Sequence, residues 1–109
     1  MNANVKLPAA KGVFIDNKWQ PAQSGRTIAM LAPATGQMIA SIAAGDAADI
    51  DLAVAAARRA LEGSWGRLAA VERGRLLSKL GRLVEDHAEE LAKLEAADTG
   101  KPMKQARAD

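Results

Sequence analysis

The sequence predicts a mixed α+β segment in which two short β-hairpins precede two or three α-helices. Two observations support this prediction. Short apolar runs separated by turn residues fill positions 12–45, and apolar residues at helical spacing dominate positions 46–97. The length of 109 residues is enough for one small domain. Aromatic residues make up only 3% of the chain, so its alanine-rich helices are expected to lean on another surface.

The first hairpin is predicted from two short runs around the turn residues Asp16 and Asn17. Val13 to Ile15 form one strand, and Lys18 to Gln20 return as the other. Residues 1–11, which precede this hairpin, are predicted to be a flexible lead-in. Residues 12–109 then form one incomplete domain.

The second hairpin is predicted from Thr27 to Leu31 and from Gln37 to Ala43. The turn Pro33-Ala34-Thr35-Gly36 separates these runs. A lone two-stranded hairpin is marginally stable in water, so both hairpins need a further surface to pack on.

A first helix is predicted to open at Asp46 and to end at Gly63. Asp46 is a favourable N-cap residue, and Asp49 places a carboxylate in the first turn, where the helix dipole favours it. Apolar residues at helical spacing form one stripe along this helix: Ile50, Val54, Ala57 and Leu61.

A second helical region is predicted from Val71 to Ala97, with a break near Asp86-His87. Glycine and proline at Gly100 and Pro102 end it. Met103 to Asp109 then predict the beginning of a further helix. A leucine-rich stripe marks this region: Leu76, Leu80, Leu83, Val84, His87, Leu91 and Leu94.

Composition excludes several classes of function. The chain has no cysteine, which removes disulfides, thiolate metal sites and a cysteine nucleophile. The formal net charge of +2 does not demand a polyanionic partner, and no apolar run approaches the roughly 18 residues that span a bilayer. Residues 1–11 lack the apolar core of a signal peptide. We therefore expect a soluble, cytoplasmic protein with no nucleic-acid or membrane partner.

The residues that could take part in catalysis or ligand binding are better explained by structural roles. His87, the single histidine, lies on the leucine stripe without metal-ligand companions, which favours a packing role. Trp19 and Trp65 are expected to anchor a small core while staying partly exposed. The sequence Gly100-Lys101-Pro102 lacks the upstream glycine and the hydroxyl residue of a phosphate-binding loop.

Charged residues also favour structural roles. The pair Asp49/Asp51 suits a helix N-terminus, and the pair Glu89/Glu90 suits a solvated helix face, where Glu89 is correctly spaced to pair with Lys93. Acidic residues interrupt a possible basic stripe for nucleic acid, which lacks aromatic stacking partners. That stripe comprises Arg67, Arg73, Arg75 and Arg82.

The order of the motifs resembles the N-terminal segment of the NAD(P)-dependent aldehyde dehydrogenase superfamily. The resemblance extends over residues 12–109 and rests on the whole ordered set, since each piece alone is common. The set comprises Phe14-Ile15-Asp16, Lys18-Trp19, Ser24-Gly25-Arg26-Thr27, Pro33-Ala34-Thr35-Gly36, Ala44-Gly45-Asp46, Trp65, Glu72-Arg73, Glu95 and Asp98-Thr99-Gly100-Lys101-Pro102.

The resemblance implies an α/β fold by lineage, in which this segment forms the outer part of a cofactor-binding domain. It implies that a full-length enzyme oxidises an aldehyde to a carboxylic acid with NAD or NADP. The family's catalytic cysteine, general-base glutamate and nucleotide-contacting residues lie downstream, so no catalytic or cofactor-binding residue is expected in residues 1–109. The sequence identifies neither the aldehyde nor the choice between NAD and NADP.

The resemblance also implies a structural monovalent cation between the Pro33–Gly36 turn and Asp98. A backbone carbonyl of Leu31 and the carboxylate of Asp98 are the candidate ligands. Met30 has no side-chain oxygen where family members often have threonine, and a further ligand would come from other sequence. Asp98 could instead cap the end of its helix. Ala32 replaces an asparagine that usually precedes the turn, which removes a side chain able to lock it.

A different class of function stays open at this point. The leucine stripe and the unpaired hairpin edges could let the chain act as a stand-alone interaction module. Such a module would associate with itself or dock on a full-length relative.

Overall fold

The computed structural model describes residues 12–109, and the predicted lead-in at residues 1–11 lies outside them. The predicted α+β architecture is confirmed: two antiparallel hairpins come first and helices follow. The strands are β1 (Val13–Ile15), β2 (Lys18–Gln20), β3 (Thr27–Leu31) and β4 (Met38–Ala43). The helices are α1 (Ala47–Glu62), α2 (Ser64–Arg67), α3 (Ala70–Asp86), α4 (Ala88–Thr99) and α5 (Met103–Ala106).

The first hairpin turns where the sequence predicts it. Asp16 and Asn17 have φ values of 53° and 60°, the left-handed conformation that a two-residue type I′ turn requires at both positions. Phe14 pairs with Trp19 across the hairpin, and their ring centroids lie 5.0 Å apart. This aromatic pair stays on an open face, because each side chain is about half exposed.

The second hairpin is longer and contains one irregularity. Met30 pairs with Ala40, but the next residue, Leu31, pairs with Met38, so the partner strand carries one extra residue. The Pro33–Gly36 turn is held by the backbone carbonyl of Ala32, which accepts hydrogen bonds from the amides of Gly36 (2.7 Å) and Thr35 (3.3 Å). The turn therefore closes through the Ala32 backbone, without a side-chain hydrogen bond from position 32.

Helix α1 begins with a capping box. The Asp46 carboxylate accepts a hydrogen bond from the amide of Ala48, and the Asp49 carboxylate accepts one from the amide of Asp46. The helix ends at Gly63 as predicted, although Gly63 is extended (φ −90°) rather than left-handed. A Cβ atom on Gly66 would lie only 1.6 Å from the carbonyl oxygen of Leu61, so the tight turn into α2 requires glycine.

The described residues contain five helices, two of them single turns, where the sequence predicted two or three helices. Helices α2 and α5 are single turns of four residues without side-chain caps. Helix α5 begins at Met103, where the sequence predicted the beginning of a further helix, whereas α2 was not predicted. The region predicted from Val71 to Ala97 divides into α3 and α4 at His87, close to the predicted break. His87 has φ −104° and ψ 13°, which interrupts the helical path.

Small side chains form the buried part of the described structure. The buried hydrophobic residues are all alanines: Ala22, Ala32, Ala92 and Ala106. The Cα radius of gyration is 17.1 Å, whereas a compact domain of this length has about 13 Å. No helix among residues 12–109 is long and apolar enough to cross a membrane. The segment is therefore an open arrangement of layers with little interior of its own.

Candidate functional site

An open groove of about 560 Å³ lies between the second hairpin and the C-terminal helices. Strand residues form one wall, and the end of α3 together with α4 and the α5 region forms the other. The lining is mainly apolar, with acidic groups at its edge; it includes Met30, Ile42, Val84, Leu91, Glu95 and Asp98. The groove therefore places the second hairpin opposite the C-terminal helices, whose wall includes Glu95 and Asp98.

Gly100 and Pro33 show how closely those motifs approach. Gly100 ends α4 in the left-handed conformation (φ 74°), and a Cβ atom added there would lie 3.3 Å from the Cβ of Pro33. The turn after β3 therefore packs directly against the end of α4. This contact explains why two short motifs 67 positions apart occur together in one structural unit.

Two of the three residues considered for the cation site line the groove, and Leu31 does not. Met30 and Asp98 line the same groove, and Leu31 is the last residue of β3. The Asp98 carboxylate makes no hydrogen bond or ion pair with another residue among 12–109. The alternative role of Asp98 as a helix cap is thus not observed: the Thr99 hydroxyl donates to the Glu95 carbonyl (2.8 Å), and the Gly100 amide donates to Ala96.

The donor set fits a monovalent cation only in part. Within residues 12–109, no group of three or more His, Cys, Asp or Glu side chains is placed to hold a metal ion. A cation here would depend on backbone carbonyl oxygens and on the single carboxylate of Asp98. The side chain of Met30 adds a thioether, a weak ligand for a hard cation. The pairing of Leu31 with Asp98 therefore stays a prediction.

Two charged contacts hold the α5 region against α4 beside the groove. The Lys101 ammonium lies 2.8 Å from a Glu95 carboxylate oxygen and also pairs with Asp109. The hydrogen bond to Asp109 and then that to Glu95 raise the pKa of Lys101 to about 12. The Arg107 guanidinium donates two hydrogen bonds of 2.9 Å to Glu89. These hydrogen bonds are the main cause of the lowered pKa of Glu89.

Glu89 and Glu90 are exposed, as a solvated helix face predicts, but the ion-pair partner of Glu89 differs from the predicted one. The Glu89 carboxylate pairs with Arg107 rather than with Lys93, the partner that helical spacing suggested. The interpretation of Asp49/Asp51 as a helix N-terminal pair holds for Asp49, whose carboxylate completes the capping box.

Asp49 has a second contact that sequence reasoning missed. Besides accepting the Asp46 amide, its carboxylate accepts the amide of Gln23 at 3.0 Å, from the loop between the hairpins. The residue is only 2% exposed. The backbone amides of Asp46 and Gln23 hold the pKa of Asp49 below its usual range. No local pattern signals a contact across 26 positions.

His87 does not pack on the leucine stripe, so the predicted packing role is wrong. Its side chain is 62% exposed at the junction of α3 and α4, with Nδ1 3.4 Å from the Glu90 carboxylate. The residue lies outside the helical path, so its side chain no longer follows the stripe. Trp19 and Trp65 are partly exposed, as expected, at 55% and 38%. Neither tryptophan belongs to the buried alanine set.

Three of the four arginines of the possible basic stripe have partners among residues 12–109. Arg67 donates to the Glu62 carbonyl (3.4 Å), and Arg73 donates to the Leu68 carbonyl (2.5 Å). Arg75 pairs with Glu72. The absence of a nucleic-acid partner stays a prediction.

Known proteins share both the sequence and the fold of this segment. Residues 19–109 match the model of the Aldehyde dehydrogenase family. Human Retinal dehydrogenase 2 is 48% identical over 105 residues, which is 94% of this chain and 20% of that protein. PnpE of Pseudomonas sp. WBC-3, solved in complex with nicotinamide adenine dinucleotide, is 47% identical with a TM-score of 0.84, over 89% of this chain and 20% of PnpE.

A third comparison gives the same result at lower identity. The NAD-dependent aldehyde dehydrogenase of Sinorhizobium meliloti is 35% identical with a TM-score of 0.88, covering 98% of this chain and 22% of that one. The sequence and the fold therefore define a segment of a dehydrogenase. The chain belongs to the aldehyde dehydrogenase family, as its motifs predicted, and it spans about a fifth of the length of the relatives it matches.

Proposed function

We propose that residues 1–109 form the N-terminal segment of an NAD(P)-dependent enzyme that oxidises an aldehyde to a carboxylic acid. The observation that carries this proposal is the family match over residues 19–109, combined with coverage of about a fifth of each relative. The relatives compared above are dehydrogenases and lend no support to a stand-alone interaction module. Some relatives are named as mitochondrial, so the comparisons do not decide the location of this protein. A cytoplasmic location is therefore part of the proposal.

The segment by itself is proposed to be catalytically silent. Covalent aldehyde oxidation in this family needs a thiolate that adds to the carbonyl carbon, and this sequence has no cysteine. NAD or NADP, when bound to the whole enzyme, supplies the acceptor for the hydride. The thiolate and the nucleotide contacts would come from sequence beyond residue 109.

The open apolar faces support a structural role within a larger enzyme. Along α3, the apolar stripe is 48–59% exposed at each of its positions: Leu76, Leu77, Leu80, Leu83 and Val84. Exposed contiguous apolar surface of this kind marks an interaction site. We propose that the remaining four fifths of the enzyme cover this stripe and the groove.

The structural cation is proposed to bind at the groove through the Leu31 carbonyl and the Asp98 carboxylate. In the complete enzyme, replacing potassium or sodium chloride by a bulky organic cation should lower the thermal unfolding midpoint. Asp98→Asn should abolish this dependence, because it removes the anionic ligand. Asp86→Asn, an equivalent change at the end of α3, should retain it; equal dependence in both variants would reject Asp98 as a ligand.

The first test of the proposed function measures the product and its activity together. An antibody against residues 46–101 should recover a polypeptide several-fold heavier than 11.4 kDa from the source cells, and that product should form NADH or NADPH from aldehydes. Purified residues 1–109 should form neither. Aldehyde-dependent reduction of NAD or NADP by the purified 109-residue chain would overturn the proposal.

A further inference from the structure

Asp49 lies where the linker between the two hairpins crosses the first turn of α1. Its Oδ1 accepts the amide of Gln23 and its Oδ2 accepts the amide of Asp46, both at 3.0 Å. The two donors come from different parts of the fold, one from the linker and one from the helix N-cap. A single buried carboxylate therefore connects them.

Among residues 12–109, no cationic side chain forms an ion pair with Asp49. The neighbouring carboxylate of Asp46 accepts the amide of Ala48, and the Asp46 side chain also interacts with the Asp49 carboxyl group, which contributes to the lowered pKa of Asp49 after the two backbone amides. The linker carries Arg26, which forms no ion pair with Asp49 in this part of the chain, and the first hairpin contributes the aliphatic side chain of Val13 near Gly45. The negative charge of Asp49 is thus stabilised by backbone amides and the N-terminus of α1.

We infer that ionised Asp49 acts as a clasp that holds the hairpin linker on α1, and that neutralising it frees the linker while α1 stays folded. This role differs from ordinary helix capping. A capping residue affects only the amides of its own helix, whereas the clasp also fixes the amide of Gln23, 26 positions earlier. The exchange behaviour of the Gln23 amide therefore separates the two roles.

Substitution by asparagine removes the charge with little change in size. In the Asp49→Asn variant, the new side-chain amide would accept only one of the two hydrogen bonds and would turn its NH2 group toward the other backbone amide. Asp51, which is exposed on the same helix, provides the matched control. Asp51→Asn changes the net charge equally and leaves the linker untouched.

The test is amide hydrogen exchange measured by NMR at neutral pH on the 109-residue chain. In Asp49→Asn, the protection factor of the Gln23 amide should fall at least about tenfold, while far-UV circular dichroism retains the helical signal. In Asp51→Asn it should stay unchanged. Unaltered Gln23 protection in Asp49→Asn, or an equal loss in both variants, would overturn the inference.

A second measurement avoids any failure of the variant to fold. In the unmodified chain, acid titration should move the Gln23 amide resonance with the same midpoint as the Asp49 carboxyl carbon resonance. The midpoint should lie below the ordinary aspartate range, because both amides favour the ionised form. A Gln23 resonance that does not follow Asp49 ionisation would reject the clasp.

Discussion

Gly100 combines a backbone requirement with a packing requirement at one residue. Its positive φ of 74° is costly for a residue with a Cβ atom, and its Cα hydrogen faces Pro33 at a distance that leaves little space for a methyl group. Gly36 has nearly the same φ, 72°, but nothing within 4 Å of the position a Cβ atom would take. Gly36 therefore has only the backbone requirement, whereas Gly100 has both the backbone and the packing requirement.

Gly100→Ala is expected to reduce the free energy of unfolding more than Gly36→Ala does. Each change should cost about 1–2 kcal/mol for the left-handed backbone, and Gly100→Ala adds the crowding against Pro33. Chemical unfolding followed by circular dichroism measures both values. Equal losses would mean that the turn moves away freely and that the contact between the motifs does not constrain the structure.

Other residues could not be placed from sequence because their partners are distant. The Asp46 cap, the Asp16-Asn17 turn and the end of α4 at Gly100 follow from local chemistry and were predicted. The contact of Asp49 with Gln23 and that of Glu89 with Arg107 connect separate elements, and the local patterns around them suggest only a dipole effect or a solvated face.

At the scale of elements, helix α3 is weakened by its own glycines. Gly74 and Gly81 lie inside the helix, and a Cβ atom at either position would meet nothing within 4 Å. Glycine in a helix interior costs roughly 0.5–1 kcal/mol relative to alanine. Helix α3 is therefore less stable than it would be with alanine at these two positions.

Gly74→Ala and Gly81→Ala should each stabilise the chain by about 0.5–1 kcal/mol. Thermal unfolding of the single variants and of the pair measures the gain. Gly66→Ala is the opposite case, since its Cβ atom would collide with the Leu61 carbonyl, and it should destabilise the chain. A loss of stability in Gly74→Ala or Gly81→Ala would show that α3 packs differently from this structure.

The docking of the α5 region on α4 should depend on pH through Glu89. Its pKa is lowered in the folded state, so its contribution to stability is present above the ordinary value of 4.5 and is lost as the pH falls through the lowered value. Glu89→Gln should remove this contribution at neutral pH and flatten the acid-side dependence. The matched variant Glu90→Gln should leave the contact with Arg107 and its pH dependence intact.

The unfolding midpoint in denaturant, followed from about pH 7 to about pH 3, measures that dependence. Both side chains of the Glu89–Arg107 pair are about half exposed, so the effect should be small and should shrink in high salt. A Glu89→Gln variant with the acid-side profile of the unmodified chain would contradict the role of the pair.

The number of elements was harder to predict than their kinds. Two hairpins and two long helical regions follow from alternating and helical apolar patterns. Helix α2 contains the close local approach of Gly66 to the Leu61 carbonyl, and Arg107, at the end of α5, pairs with Glu89 of α4. A pattern spanning four residues carries too little periodicity to reveal α2, whereas the beginning of α5 at Met103 was predicted from the preceding Gly100 and Pro102.

At the scale of the whole molecule, the apolar surface is arranged for contacts outside residues 12–109. Leu80 is 56% exposed, whereas Ala92 is 2% exposed. The two residues therefore distinguish surface that the described segment leaves open from surface that is already packed. The sequence predicted the apolar stripe of α3, but only the structure shows that the described residues do not cover it.

Leu80→Gln should change the stability of the 109-residue chain by less than about 0.5 kcal/mol, as at an ordinary surface position. Ala92→Gln should cost about 1–3 kcal/mol, because the larger side chain must enter a filled space. In the complete enzyme, Leu80→Gln should also become destabilising, because the rest of the enzyme is proposed to cover the stripe. Chemical unfolding of both proteins measures this difference, and an unchanged Leu80→Gln effect in the complete enzyme would reject the covered stripe.

The exposed stripe of α3 has a consequence for biosynthesis. In relatives of this length, about 400 residues lie outside the matched fifth, and a ribosome adds about 5–20 residues per second. If this segment leads the nascent chain, the stripe of α3 is exposed for roughly 20–80 s before the part of the enzyme that is proposed to cover it has been synthesised. The stripe includes Leu76, Leu80 and Leu83. That interval is long enough for chaperones to bind the stripe, so binding by chaperones would protect such a segment from aggregation during synthesis.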